Sequence, residues 1–315
     1  MRKFLINISV FCLVLMGFYS YFVHKLSQGY VDWYYNKFTQ EAGGLIMGLS
    51  RADQGIAPYI LEKELEEFDM GQPIVNFATN QSSFGKVYLN AIQKKLKGTS
   101  DNGLFILAIS PGSFTAPEGM GVENILNFDK KTVMGKINNF TSAPNYDYIT
   151  NCYAQPLYNV FYPNTWQYHM PHLSGWNEVK AQTESDTITK SDISHWKSLT
   201  LRKYRQKIKI ERISQYRIDS FVDIIQYLKT KGKVFVIRLP ADSDIIAMED
   251  DLWGEFDKKF DSISKKHQVL YLNYSKLPNE YKTYDGSHLI SKSAKKFSYK
   301  LSRDISKILK GEVYK

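Results

Sequence analysis

Three side chains from opposite ends of the chain have the types and spacing for acyl-transfer chemistry: Ser50, Asp285 and His288. A serine hydroxyl is a weak nucleophile until a base takes its proton, and histidine titrates in the useful range. The base needs a carboxylate on its other ring nitrogen to fix the tautomer and stabilise the imidazolium. Asp285 and His288 stand three residues apart in Asp285-Gly286-Ser287-His288, so one turn can bring carboxylate and ring together. Ser50 ends the run Leu45-Ile46-Met47-Gly48-Leu49-Ser50, which is apolar up to its Gly-x-Ser and is followed by a polar, helix-compatible segment. A serine so placed lies at the carboxyl end of a buried strand and the start of a helix, where developing negative charge is favoured. Taken singly, each motif also has an ordinary explanation. Ser50 can be a helix cap, and Asp285 can cap a helix beside a loop histidine.

The elements that must position these residues are legible as a rhythm. Strands are expected at 45–48, 73–78, 104–109, 233–239 and 269–272, each a short apolar run. Amphipathic helical segments fall at 61–68, 88–96, 218–228, 252–263 and 291–309. Strands alternating with helices imply an α/β domain with a five-stranded parallel sheet covered on both faces. Between residues 114 and 212 the rhythm disappears. That stretch is rich in Tyr, Asn, Trp and Phe, later in Lys and Arg, and is too long for a plain loop. It reads as an insertion forming a lid or one wall of a groove.

At the amino end, Arg2 and Lys3 precede an uncharged, mainly apolar run over 4–23, about the length that spans a membrane. Basic residues before a span favour a cytoplasmic amino terminus, which leaves the body on the far side. Bulky aromatics at Phe18, Tyr19, Tyr21 and Phe22 suit an interfacial belt better than a small-residue cleavage site. The organisation expected is a signal-anchor over 1–25, a juxtamembrane segment over 26–43, and an α/β domain over 44–315 with its insertion at 114–212.

With Ser50 after the first strand and Asp285-x-x-His288 just before the last helix, the chain resembles the SGNH/GDSL hydrolase superfamily. The resemblance covers roughly residues 44–113 and 233–309. It implies a three-layer α/β/α, flavodoxin-like domain, with Ser50 as nucleophile, His288 as base and Asp285 orienting it. Gly48-Leu49-Ser50-Arg51 departs from the Gly-Asp-Ser pattern of that superfamily. The resemblance also implies oxyanion donors in a Gly after the second strand and an Asn after the third, and neither motif is met. The candidates for that role are the backbone N–H of Ser50, the amide of Asn80, and the region of Ser110 and Gly112. As turn formers, Asn80 and Gly112 have an ordinary explanation too.

Arg51 and Arg238 fall near the carboxyl edge of the sheet and are candidates for binding an acidic or sugar substrate; arginines so placed also hold structural carboxylates. His169-Met170-Pro171-His172 lacks regular helical spacing and a completing carboxylate, so no metal is expected. Trp166, Tyr168, Trp176 and Trp196 can stack on sugar rings or pack the insertion. The two cysteines, Cys12 and Cys152, form no metal or redox motif. With 43% hydrophobic residues the chain can build a substantial core. Its net charge of +9 comes without a nucleic-acid module, so nucleic acid is not an expected partner.

The combined expectation is a membrane-anchored serine esterase or O-acyltransferase, with no cofactor and its domain outside the cytoplasm. That location is the periplasmic side of an inner membrane if the cell has two membranes. Acylated, notably acetylated, envelope polysaccharide is the expected substrate, with envelope polysaccharide machinery as a possible partner. The competing expectation is a catalytically inactive relative that binds glycan or supports envelope assembly.

Overall fold

A computed structural model describes residues 1–315 apart from 97, 99–100, 164, 181–186, 278–279 and 313–315. Among the described residues the strands are β1 (Gly44–Met47), β2 (Ile74–Asn76), β3 (Gly103–Ala108), β4 (Thr115–Pro117), β5 (His169–Pro171), β6 (Asn177–Val179), β7 (Glu211–Ile213), β8 (Gly232–Arg238) and β9 (Leu270–Asn273). Five of them form one sheet in the order β2-β1-β3-β8-β9, and every neighbouring pair is parallel.

Every residue of β1, β2 and β3 is buried, because a parallel sheet is covered on both sides and its strands read as continuous apolar runs. Alternation sorts the side chains into two layers. Leu45, Met47, Phe105, Leu107, Val234 and Val236 pack with the helices Lys86–Lys95, Gln215–Lys229 and Phe256–His267. Ile46, Leu104, Ile106, Phe235 and Ile237 pack with Pro58–Glu64 and the last helix, Ser291–Leu309. The last helix carries Ala294, Phe297, Leu301 and Ile305 on one stripe, all fully buried. At about 25 cal/mol per Å² of apolar surface, such a stripe is what fixes a helix to a sheet.

The chain passes from β1 outward to β2, then back across to β3 and on to β8 and β9. Its direction of winding therefore reverses between β1 and β3, and the crevice at their carboxyl ends is where open α/β sheets bind ligands.

The insertion begins and ends in one place. β4 and β7 pair antiparallel, with Thr115 opposite Ile213 and Pro117 opposite Glu211. Phe114, at the root, is fully buried against Phe84, Phe221 and Phe260. Between these strands the chain is mainly helical, with the antiparallel pair β5–β6 and a 21-residue helix, Lys190–Ile210, that has no buried residue.

The first helix, Arg2–Ser27, is long and apolar enough to cross a membrane, its most apolar 18-residue stretch having a mean hydropathy of 1.9. Only Val23 and Leu26 are buried, at the end that meets the body. The segment after it is tied into the domain by Lys37. The Lys37 ammonium pairs with Asp53 at 2.7 Å, both side chains being almost fully buried, and donates to the carbonyls of Asn76 and Gly175.

Candidate active site

The nucleophile candidate owes its position to a glycine. Gly48 has φ +141°, a conformation that L side chains rarely adopt, and a Cβ there would lie 2.5 Å from the Ala108 carbonyl oxygen. This allows the chain to leave β1 sharply against the end of β3 and to start the helix Ser50–Gly55 at the serine itself. As the first helical residue, Ser50 has an N–H that the helix cannot use for its own bonding.

Asp285 and His288 lie in the turn before the last helix. Gly286 has φ +86°, and its N–H donates to Thr283 Oγ1 at 3.1 Å. The N–H groups of Ser287 and His288 donate to Asp285 Oδ1 at 2.9 and 2.8 Å, so the turn is folded around the carboxylate. Asp285 Oδ2 meets His288 Nδ1 at 2.8 Å, and His288 Nε2 meets Ser50 Oγ at 2.7 Å. The sequence separates Ser50 from His288 by 238 residues, and the sheet brings them into hydrogen-bond contact.

Burial opposes the charge on Asp285. The His288 ring and the backbone donors outweigh that cost and hold the carboxyl down at about 2. With Asp285 ionised, Nδ1 carries the proton and Nε2 is left to accept from the serine hydroxyl. Tyr284 stacks on the His288 ring with centroids 5.7 Å apart, and its hydroxyl donates to Gln54 Oε1 at 2.9 Å.

Ser50 lines a cleft of about 220 Å³ at the β1–β3 crevice, and His288 and Asp285 stand behind it, outside the lining. Ser50, Asn80, Ser110 and Gly112 all line it, so the four oxyanion candidates share one space. Their donors differ in availability. The Ser110 N–H already donates to Ser113 Oγ at 3.3 Å, and the Asn80 N–H donates to the Tyr34 hydroxyl at 3.2 Å. Among the described residues, no hydrogen bond engages the backbone N–H of Ser50, the side-chain amide of Asn80 or the backbone N–H of Gly112, and all three residues line the cleft.

The two arginines separate. Arg51 lines the cleft, but its Nε donates to Ser287 Oγ at 2.9 Å and its Nη2 donates to the Tyr204 hydroxyl at 3.0 Å and pairs with Glu249 at 2.9 Å. It thus clamps the helix that starts at Ser50 to the turn that carries Asp285 and His288. Arg238 does not line the cleft, contrary to the expectation of a substrate contact. It is 1% exposed and held by Glu249 at 3.0 Å and Asp257 at 2.9 Å, carboxylates supplied by the two elements that follow β8.

His169 and His172 face different neighbours. His172 Nε2 pairs with Glu178 at 2.8 Å, while the buried His169 packs against Trp33 and Trp166. Burial pushes the His169 imidazole down to about 4. Trp166, Tyr168 and Trp196 pack on one another, with Trp166 and Trp196 also against Tyr284, and Trp176 is fully buried with its indole N–H on the Gln54 carbonyl at 2.9 Å. These rings fasten the insertion to the triad loop. Cys12 and Cys152 are both free.

Sequence reasoning missed the residues that the helix Lys190–Ile210 brings to the site. Thr200 Oγ1 donates to Asp285 Oδ2 at 3.3 Å, and Lys203, Tyr204 and Lys207 line the cleft opposite Ser50. A signal for that helix was present. Thr189 and Asp192 form a reciprocal capping box, and the 21 residues that follow Thr189 contain neither Gly nor Pro.

No protein-family model, curated protein or solved structure matches this chain.

Proposed function

We propose that the protein is an SGNH-like serine esterase or O-acyltransferase, with Ser50 as nucleophile, His288 as general base and then acid, and Asp285 as the group that orients the base. The observation that carries this reading is the continuous relay from Asp285 Oδ2 to His288 at 2.8 Å and from His288 to Ser50 Oγ at 2.7 Å, opening into the crevice of a parallel sheet.

In this mechanism Ser50 Oγ attacks the carbonyl carbon of an ester while its proton passes to His288 Nε2. The oxyanion of the tetrahedral intermediate is met by the Ser50 N–H and the Asn80 amide. Collapse breaks the bond to the alcohol, which leaves with the proton from His288, and the acyl group stays on Ser50. Water then regenerates the enzyme in hydrolysis, and a sugar hydroxyl takes the acyl group in transfer. The insertion covering the cleft and the apolar first helix support an acylated cell-envelope polysaccharide as substrate, met outside the cytoplasm by a domain anchored in the membrane. A non-catalytic glycan-binding role is the second reading, favoured by the Ser110 N–H being already engaged by Ser113.

The test is labelling of the full chain in detergent with a fluorophosphonate probe, beside Ser50→Ala. Ser50-dependent labelling is expected, together with release of acetate from an acetylated glycan that falls by about 10⁴-fold or more in Ser50→Ala. A folded wild-type chain that takes no label would overturn the enzyme reading.

A further inference from the structure

The helix Lys190–Ile210 carries seven lysines and arginines against one aspartate, most of the net charge of the whole chain. Two of its bases have acidic partners: Lys197 pairs with Asp242 and Asp244, and Lys207 with Glu211. The other carboxylates near the cleft are occupied as well, Asp285 by His288 and Glu249 by Arg51 and Arg238. Among the described residues this leaves Lys203 at the cleft wall with no ion-pair partner. Lys207 lines the same wall, and the 9%-exposed Arg51 keeps a buried Nη1 that no described group meets. Arg202, Arg205 and Lys209 are exposed on the same helix and lie outside the cleft, adding to the field around it.

We propose that the cleft takes a polyanionic glycan, with Lys203 as the cation that binds a carboxylate or phosphate of the sugar next to the reacting one, and Lys207 and Arg51 in support. The proposal rests on the cleft being the site of acyl transfer, and it names the class of substrate transferred from or onto. A cation with no internal partner beside a nucleophile has its charge available to a ligand. A wall of one sign also concentrates an oppositely charged polymer at the entrance. A neutral glycan gains nothing from either.

The test uses the full chain carrying Ser50→Ala in phosphatidylcholine nanodiscs, so that binding is read without turnover. At about 50 mM salt, polygalacturonate is expected to bind and neutral dextran is not, with binding lost as salt rises toward about 0.5 M. Lys203→Glu is expected to weaken polygalacturonate binding about tenfold, and Lys203→Arg to retain it. Equal binding of the two polymers, or no effect of Lys203→Glu in a variant that unfolds at the wild-type temperature, overturns the proposal. So does loss of binding in Arg202→Glu/Arg205→Glu but not in Lys203→Glu, which would move the anion site to the outer face of the helix. Fluorophosphonate labelling of the wild type runs alongside. Polymer binding without labelling removes the acyl-transfer reading and leaves the anion site, and labelling without polymer binding does the reverse.

Discussion

The two walls of the cleft are built by different physics. On the sheet side, Ser50, Asp285 and His288 are held by buried backbone geometry, by the folded turn around Asp285 and by ion pairs shut away from water. On the insertion side, the helix Lys190–Ile210 buries no residue and reaches the site through polar side-chain contacts from Thr200, Tyr204 and Lys207, the last donating to the Gly112 carbonyl at 3.1 Å. A wall that must hold a proton relay to a few tenths of an ångström needs over-determined positions, whereas a wall that selects a ligand needs exposed, adjustable groups. On the proposed function, chemistry belongs to the sheet and selection to the insertion.

The largest effect that would break this contrast is on the sheet side. Lys37→Ala leaves Asp53 buried without its cation in the helix that starts at Ser50, and is expected to destabilise the fold by about 3–5 kcal/mol. Urea unfolding reads it, and a loss under about 1 kcal/mol would mean the sheet-side wall is not fixed by its buried pair.

Acid is the second way to loosen the same wall. Asp285 is held at about 2 in the folded chain, below its ordinary value near 3.8, so its contribution is fully present above about pH 4. That contribution, of order 2 kcal/mol, is lost as pH falls toward 2. An Asp285→Asn chain should therefore show a shallower fall in stability between pH 4 and pH 2, measured by thermal unfolding. Parallel curves for the two chains would place the acid sensitivity elsewhere.

The smallest effect sharpens the contrast from the insertion side. Tyr204→Phe removes one hydrogen bond with Arg51. It is expected to cost about 1 kcal/mol or less in stability and to slow acyl transfer only severalfold. A drop comparable with that of Ser50→Ala would show that the insertion takes part in the chemistry itself.

The contacts joining Ser50, His288 and Asp285, and the sheet, were legible in the sequence because both are written locally. Gly-x-Ser after an apolar run and Asp-x-x-His before an amphipathic helix need no distant information, and the period of the strands placed all five within a residue or two. The expectation of one helix over 252–263 was less accurate, since the chain forms Ser243–Leu252 and Phe256–His267, broken around Trp253 and Gly254. The same omission explains Arg238. The missed helix carries Glu249 and the next carries Asp257, the carboxylates that hold its guanidinium. The helical wall went unread because its amphipathic pattern is weak. None of its side chains is buried, so no apolar stripe records which way it faces.

The antiparallel clasp between β4 and β7 has a consequence for how such a protein can diversify. The Ser214 N–H donates to the Phe114 carbonyl at 2.8 Å, so the entry and exit of the insertion sit one hydrogen bond apart. A segment whose ends are already joined can lengthen, shorten or be exchanged without altering the separation of β3 and β8, and the entropy of closing it grows only with the logarithm of its length. On the proposed function, ligand preference could thus change with the insertion while the sheet beneath it keeps its geometry.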